Sequence, residues 1–533
     1  MYLHSTVGAE TTPPDSTNLL AQEEGGGGLF GGIERWIEGN FTPFSESVSG
    51  FVFGEVAIGG VEFPWIVAWL ILGAIVFTVY FGFIQIRKLK LATDIVRGKY
   101  TDKSEPGEIN HFQALASALS GTVGLGNIAG VGAAVTIGGA GATFWMICAG
   151  ILAMATKFVE CTLGVKYREE HADGTVSGGP MYYLSKGVPE VIKGAFGVGL
   201  GKVLAVCTAI GILFFGIIGG NMFQSNQAFA QLKNVTGGDD GWLGNDGSAL
   251  TFGIILAIII GVVLIGGIKS IGKVTSRLVP AMALIYLAAC LVVIGANLSA
   301  VPGAIGTILE GAFTGEGVAG GIIGALIVGI QRSAFSNEAG VGSAPIAHSA
   351  VKTKNPPTEG FVALLEPFID TVIICTLTAL TIVIAAPAIW SEGFIAVNQD
   401  GADAPDGVTV TSDAFATVMP WFPYLLTVAV VLFALSTLIT WGYYGEKAWG
   451  YLFGKNLVSI RIYQVIFCTM SAAGAVITLQ SVIDFADSVL FVVALFNITG
   501  LYLLMPIVKR EVKAFLGKID SGEIQRNDKM TEV

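Results

Sequence analysis

Two stretches of this chain mix glycine and small polar residues into otherwise apolar sequence: SGTVGLGNIAGVG, Ser120 to Gly132, and QRSAFSNEAGVGSAP, Gln331 to Pro345. Glycine in a helix interior costs about 1 kcal/mol relative to alanine. Such stretches predict helices that break. In hydrocarbon an unwound turn leaves N–H and C=O groups unpaired, at several kcal/mol each, unless it lines a cavity. There the freed carbonyls suit a cation such as Na+, and the N–H groups that open the next half-helix suit a carboxylate. One break can therefore hold a cation and the anionic end of a zwitterion side by side. Glycine in membrane helices also serves close packing, and Gly126/Gly130 and Gly320/Gly324 have small-xxx-small spacing. Two polar, asparagine-bearing interruptions in matching places outweigh that reading.

Ionisable residues share the same apolar surroundings: Lys157, Glu160, Arg332, Glu338, Glu366 and Asp370. Charges at such depth mark function by default. Lys157 and Glu160, at i and i+3, are expected to pair. Arg332 needs a partner, with Glu338, Glu366 and Asp370 as candidates. Glu366 and Asp370, at i and i+4, would repel, so one is expected to be protonated or paired with Arg332.

The elements that position these residues follow from the apolar runs. Of the 533 residues, 53% are hydrophobic and only 13% charged, against about 25% charged in soluble domains. Runs of about 20 apolar residues predict eleven membrane spans, near 64–86, 111–139, 142–166, 202–226, 248–268, 276–297, 317–350, 360–387, 420–448, 460–479 and 483–508. Numbering those after the first as core helices 1 to 10, the two breaks fall in core helices 1 and 6. Five is odd, so the second half starts from the opposite side of the membrane. Matching breaks in two inverted halves point to a transporter binding site.

Lysine and arginine segregate under this count. The clusters Arg87–Lys103, Lys166–Lys202 and Lys269–Arg277, with Lys352, Lys354, Lys455, Arg461 and the C-terminal tail, fall on one side, and only Arg35 and Lys233 fall opposite. The positive-inside rule then puts the N-terminus outside and the C-terminus in the cytoplasm of a multi-pass cell-membrane protein. The expected organisation is an extracellular tail and amphipathic segment (1–62, with glycines 25–28), a transmembrane transporter domain (63–510) and a cytoplasmic tail (511–533). No signal peptide is visible at the start. The six cysteines lie in predicted spans without metal-ligand spacing, which argues against disulfides or structural zinc.

The strings SGTVGLGNIAGVG, SGGPMYYL (Ser177 to Leu184) and QRSAFSNEAGVGSAPIAH (Gln331 to His348) resemble the alanine-or-glycine:cation symporters, the sodium:alanine/glycine symporter family, over roughly residues 60–510. VGLGN is also similar to the break of leucine-transporter-type folds. The resemblance implies an all-α membrane fold: one extra N-terminal helix plus a five-plus-five inverted-repeat core, with core helices 1 and 6 discontinuous. It implies Na+-coupled uptake of alanine, and often glycine. Carried over to this sequence, the sodium site takes carbonyls of Ser120 and Val123 on core helix 1, and the Ala434 carbonyl and Thr437 hydroxyl on core helix 8. Leu438 stands where many relatives of the broader fold have a second hydroxyl, with Ser436 or a backbone oxygen as the substitute. The fold's second sodium site would need Asn127 and partners on core helices 6 and 7.

For the substrate, N–H groups around Leu125, Gly126 and Asn127 suit the carboxylate. Carbonyls of Gly121, Thr122 and the Ser333–Ser336 turn suit the ammonium, and Gln331 and Asn337 can add side-chain bonds. Trp441, one turn beyond Thr437 on the same face, is placed to cap a small side-chain pocket and exclude larger amino acids. The plainer alternatives are an interfacial tryptophan, a Thr437 hydroxyl bonded to its own helix at i−4, and Asn337 as a cap.

GLGNIAG does not follow a soluble strand, and GAFGVGLGK lacks P-loop spacing. No HExxH or GxSxG occurs. An enzyme, an organic cofactor and nucleic acid are therefore not expected. The expectation is a Na+-coupled symporter of a small neutral amino acid working by alternating access. The alternatives are another small zwitterion as cargo, or an ion channel.

Overall fold

The computed structural model describes residues 29–58, 61–101, 104–172, 174–245, 247–264 and 267–527. The tail before residue 29 with its glycine run, Lys103 and the last residues of the C-terminal tail lie outside the described residues.

A helix α1 (Leu29–Val52) and a short hairpin, β1 (Glu55–Ile58) with β2 (Val61–Pro64), precede α2 (Trp65–Tyr80). Core helix 1 is two pieces, α3 (His111–Thr122) and α4 (Leu125–Ile137), and core helix 2 is α5 (Ala142–Lys166). A helix unanticipated in the sequence, α6 (Pro180–Val191), carries the SGGP motif at its start. Core helix 3 comprises α7 (Ala195–Ile217), a π-helical segment Ile218–Met222 and α8 (Phe223–Val235). Core helices 4 and 5 are α9 (Ser248–Leu264) and α10 (Gly267–Ala296), followed by α11 (Val301–Thr314). Core helix 6 divides into α12 (Gly321–Asn337) and α13 (Ala344–His348). Core helix 7 runs through α14 (Pro357–Ala363), α15 (Leu365–Pro367), a π-helical segment Phe368–Cys375 and α16 (Thr376–Ala385). After α17 (Ala388–Ile395) and α18 (Gly407–Ala416) come α19 (Phe422–Phe453), α20 (Leu457–Gly474) and α21 (Leu479–Asp520), core helices 8, 9 and 10.

Eight of the described helical stretches are long and apolar enough to cross a bilayer. Of the other expected spans, α2 and α9 are apolar helices of 16 and 17 residues, and the third is the divided core helix 6. The first span ends earlier than its apolar run because Gly82 (φ +64°) and Phe83 (φ +56°) are left-handed. Segments 298–314, 388–395 and 407–416, not resolved into elements from sequence, are helical.

The packing partners come in matched sets. α3 lies against α10 as α12 lies against α21, and α7 runs along α21 as α19 runs along α10. Two further pairs, α7 with α19 and α9 with α20, map onto themselves when core helices 1–5 are exchanged for 6–10. Ile254, Ile255, Ile258 and Val262 on α9 and Leu284, Ile285 and Leu291 on α10 point outward and exposed, as lipid-facing helices require. α1 lays Phe41 and Phe44 on Phe485, and Ser45 Oγ donates to the Ser481 carbonyl at 2.7 Å, while Trp36 and Phe51 stay exposed.

Candidate functional site between two helix breaks

The core helix 1 break is narrow. α3 opens on a capping box, Asn110 Oδ1 accepting from Gln113 N–H at 2.8 Å, and ends at Thr122. Val123 is extended, and α4 starts at Leu125. A Cβ on Gly124 would lie 2.7 Å from Thr437 Oγ1 on α19. Close approach of the two helices therefore requires glycine there.

The core helix 6 break spans residues 338–343. Glu338 (φ +55°), Gly340 (φ +94°) and Gly342 (φ +83°) are left-handed. Asn337 Oδ1 accepts from Ala339 N–H at 3.0 Å, and its Nδ2 donates to Ser333 and Thr371 hydroxyls at 3.1 Å. A Cβ on Gly342 would meet Pro180 at 2.8 Å, so the SGGP motif packs directly on the break.

Between the breaks lies a small, nearly closed cavity of about 10 Å³. Gly121, Thr122 and Gly126 line it from core helix 1, Phe335 and Glu338 from core helix 6, and Trp441 from core helix 8. A fourth wall, missed in the sequence, is core helix 3: Phe215, Gly219, Gly220 and Gln224. The signal was the Gly-Gly pair followed by Asn221 and Gln224 in an apolar run, and the structure makes it a π-helical segment, a feature frequent at functional sites. Phe215 and Trp441 meet edge to face at 4.8 Å, and a Cβ on Gly220 would sit 2.2 Å from Trp441 Cγ.

Glu338, considered in sequence only as a partner for Arg332, is the cavity's carboxylate. Its Oε1 accepts from Trp441 Nε1 at 3.0 Å and its Oε2 from Ser343 Oγ at 2.7 Å. Both donors are neutral. The Gln224 Oε1 atom is buried with no partner. Gly126, in the first turn of α4, also lines the cavity, and N–H groups at a helix start lack acceptors within the helix.

The sodium candidates Ser120, Val123, Ala434 and Thr437 are all buried beside the first break. Thr437 Oγ1 is buried without a hydrogen-bond partner and makes no bond to its own helix. Ser120 Oγ donates to the Ser436 carbonyl at 2.9 Å and accepts from Thr440 Oγ1 at 3.1 Å. Ser436 Oγ donates to the Phe433 carbonyl of its own helix at 2.9 Å, which leaves its oxygen lone pairs unused.

Other candidates sit elsewhere. Asn127 and Ser336 converge on Asp370: Asn127 Nδ2 donates to Oδ1 at 2.6 Å, and Ser336 Oγ and Thr371 Oγ1 donate to Oδ2 at 2.6 and 2.8 Å. Asn127 Oδ1 accepts the Gly124 N–H at 2.8 Å, tying this cluster to the first break. Ser333 and Asn337 face a separate apolar cavity between α2, α5 and α12. Gln331 is half-buried and lines neither cavity.

The expected charge pairs are redrawn. Arg332 pairs with Asp487 on α21, none of the three candidates, because α12 leans on α21 at that level. Its guanidinium also lies 5.3 Å over the Phe335 ring, a cavity wall. Lys157 pairs with Glu366 at 3.2 Å, whereas Glu160 accepts from Asn497 Nδ2 at 2.7 Å. Glu366 and Asp370 do not meet: each belongs to its own network across the irregular turn of core helix 7.

The sodium:alanine symporter family model matches residues 52–529. The sodium/alanine symporter AgcS of Methanococcus maripaludis is 38% identical over 492 residues, covering 92% of this chain and 99% of that protein. The probable sodium/glutamine symporter GlnT of Bacillus subtilis is 31% identical, covering 84% and 87%. Among solved structures, MhsT in complex with L-phenylalanine aligns over 78% of this chain and 100% of that one at 14% identity and a TM-score of 0.49, too low to fix a shared topology.

Proposed function

The chain belongs to the sodium:alanine symporter family, and from that premise we propose that it carries a small neutral amino acid, alanine and also glycine, into the cell with Na+ by alternating access. The family is one of multi-pass membrane transporters, not enzymes. The observation that carries the choice of cargo is Glu338: a buried carboxylate with only neutral donors faces a cavity whose other side offers backbone N–H groups. A zwitterion supplies both missing charges, its ammonium toward Glu338 and Gln224 and its carboxylate toward Leu125 and Gly126. Trp441 and Phe215 close the side-chain end, which supports alanine or glycine over larger residues.

Na+ is a co-transported cargo in this reading. The unpartnered Thr437 hydroxyl against Gly124 supports a site formed with the Ser120, Val123 and Ala434 carbonyls. The cluster of Asn127, Ser336 and Asp370 has the partners on core helices 6 and 7 that a second cation would need. The exchange of packing partners between core helices 1–5 and 6–10 supports a five-plus-five inverted repeat, with core helices 1, 2, 6 and 7 rocking as a bundle. The basic clusters support an external N-terminus and a cytoplasmic C-terminus. Inward Na+ movement then gains about 2.3 kcal/mol per charge per 100 mV of membrane potential.

Counterflow in proteoliposomes tests this. Labelled alanine should exchange for unlabelled alanine with Na+ present, with glycine competing and glutamine not. Absence of exchange under a Na+ gradient overturns the carrier reading, and competition by glutamine overturns the size limit.

A further inference from the structure

The densest set of buried ionisable groups lies outside the cavity. His348, the last residue of α13, has both ring nitrogens engaged: Nδ1 stands 2.5 Å from Glu359 Oε2 and Nε2 stands 2.7 Å from Glu366 Oε1. Glu359 Oε1 also meets Nδ1 of His111, the first residue of α3, and Glu366 Oε2 lies 3.2 Å from Lys157 Nζ. All five side chains are at most 2% exposed.

A neutral imidazole carries one N–H and one acceptor nitrogen. Two ionised carboxylates bonded to opposite nitrogens accept and cannot donate, so with both glutamates ionised both nitrogens carry hydrogen. Charge balance agrees. Two carboxylates against the Lys157 ammonium leave one uncompensated buried negative charge, which is strongly unfavourable, and an imidazolium brings the set to neutrality. His111 completes the Glu359 shell through its Nδ1.

Other charged and titratable groups surround the set. Cys161 offers its sulfur within 4.8 Å of both His348 and Glu366. Glu160 is bonded to Asn497, as is Tyr183, and Glu338 and Asp370 are held by their own neutral donors. Tyr444 on α19 has no hydrogen-bond partner. Arg168 spends its guanidinium on Glu170 and on carbonyls including Ser349 and Val351.

We propose that His348 is a proton-binding site, an imidazolium shared by Glu359 and Glu366, and that this bound proton rivets core helices 1, 2, 6 and 7 into one body. The five residues come from those four helices and no others: His111, Lys157, His348, and Glu359 with Glu366. The consequence for transport rests on the carrier reading; the proton site does not. Loss of the proton leaves the set anionic and loosens the bundle that must move as a unit. A surface cavity lined by Glu108, Asn110, Gln113, Lys273 and Arg277 adjoins His111. In the proposed orientation it opens to the cytoplasm, and the proposal assigns proton exchange to that side.

The chain has four histidines, few enough to assign by nitrogen-15 NMR of the intact protein in nanodiscs. His348 should carry hydrogen on both nitrogens at pH 8. In Glu359→Gln, where one acceptor's charge is gone, it should revert to one. A His348 with a bare nitrogen at pH 7 in the native protein overturns the proposal. In proteoliposomes with external pH fixed, raising internal pH from 6.5 to 9 should slow alanine counterflow about fivefold. His348→Gln should be slow and insensitive to internal pH, and a profile matching the native one overturns the rivet. If no variant or native protein exchanges alanine while the NMR signature stands, the carrier reading fails and the proton site survives.

Discussion

Trp441 on α19 donates its indole N–H to Glu338 in the core helix 6 break, at 3.0 Å. In the proposed reading, the group that closes the side-chain end of the cavity thus also orients the carboxylate that faces it, and specificity for size is joined mechanically to recognition of charge.

Replacing Trp441 should therefore separate the two effects. Trp441→Ala should admit larger neutral amino acids as competitors while alanine uptake falls, since Glu338 loses a donor. Gly220→Ala should act in the opposite sense, pushing the indole inward and favouring glycine over alanine. Competition profiles against labelled alanine read both, and unchanged profiles count against the pocket.

Glu338→Gln keeps the shape and removes the charge. A hydrogen bond to a charged group contributes about 1.5–3 kcal/mol, so the concentration for half-maximal alanine uptake should rise about 10- to 100-fold. Uptake with native affinity would remove Glu338 from ammonium recognition.

At the cation site, Thr437→Val should raise the Na+ concentration needed for uptake with little effect on expression. Gly124→Ala, whose new methyl would lie against the Thr437 oxygen, should abolish uptake. Unchanged sodium dependence in Thr437→Val would take α19 out of the site.

The Arg332–Asp487 pair is buried, so removing one partner leaves a lone charge at a cost of about 3–5 kcal/mol. Arg332→Met and Asp487→Leu alone should each lower thermal stability in detergent, and the double variant should recover most of it. Uptake should stay impaired in the double variant if the pair also gates the cavity beside Phe335. Full uptake there would leave it a purely structural pair.

On the side assigned to the cytoplasm, the hydrogen bond from Lys99 (2.6 Å), with Arg526 at 3.6 Å, holds the Asp94 carboxyl below the usual carboxylate range despite its burial. A lowered folded value means that the contribution is present at neutral pH and lost as pH falls through that lowered value. The C-terminal tail, whose Asn527 N–H donates to the Lys99 carbonyl at 2.8 Å, should resist protease at pH 7 and become accessible under strong acid. Asp94→Asn should expose it at pH 7.

The membrane character, the order of spans and the position of both breaks were legible in the sequence. Apolar run length, glycine placement and lysine asymmetry report how each segment meets lipid, water or its own backbone, and those are local relationships. The SGTVGLGN break behaved as its glycines required, whereas Thr437 entered through the family resemblance and Trp441 through its place one turn beyond Thr437 on the same helix. Side-chain partners across helices were another matter. Arg332 could be matched to any nearby acid in the sequence, and only the lean of α12 on α21 chose Asp487. Core helix 3 entered the cavity through a π-helical turn that no simple periodicity encodes. Glu338 became a cavity wall, and His348 the centre of a buried charge network, because segments far apart in the chain were brought within hydrogen-bond distance. Periodicity and composition carry information along one chain direction; which charge neutralises which is set by the three-dimensional crossing of helices, where desolvation makes every unpaired group costly.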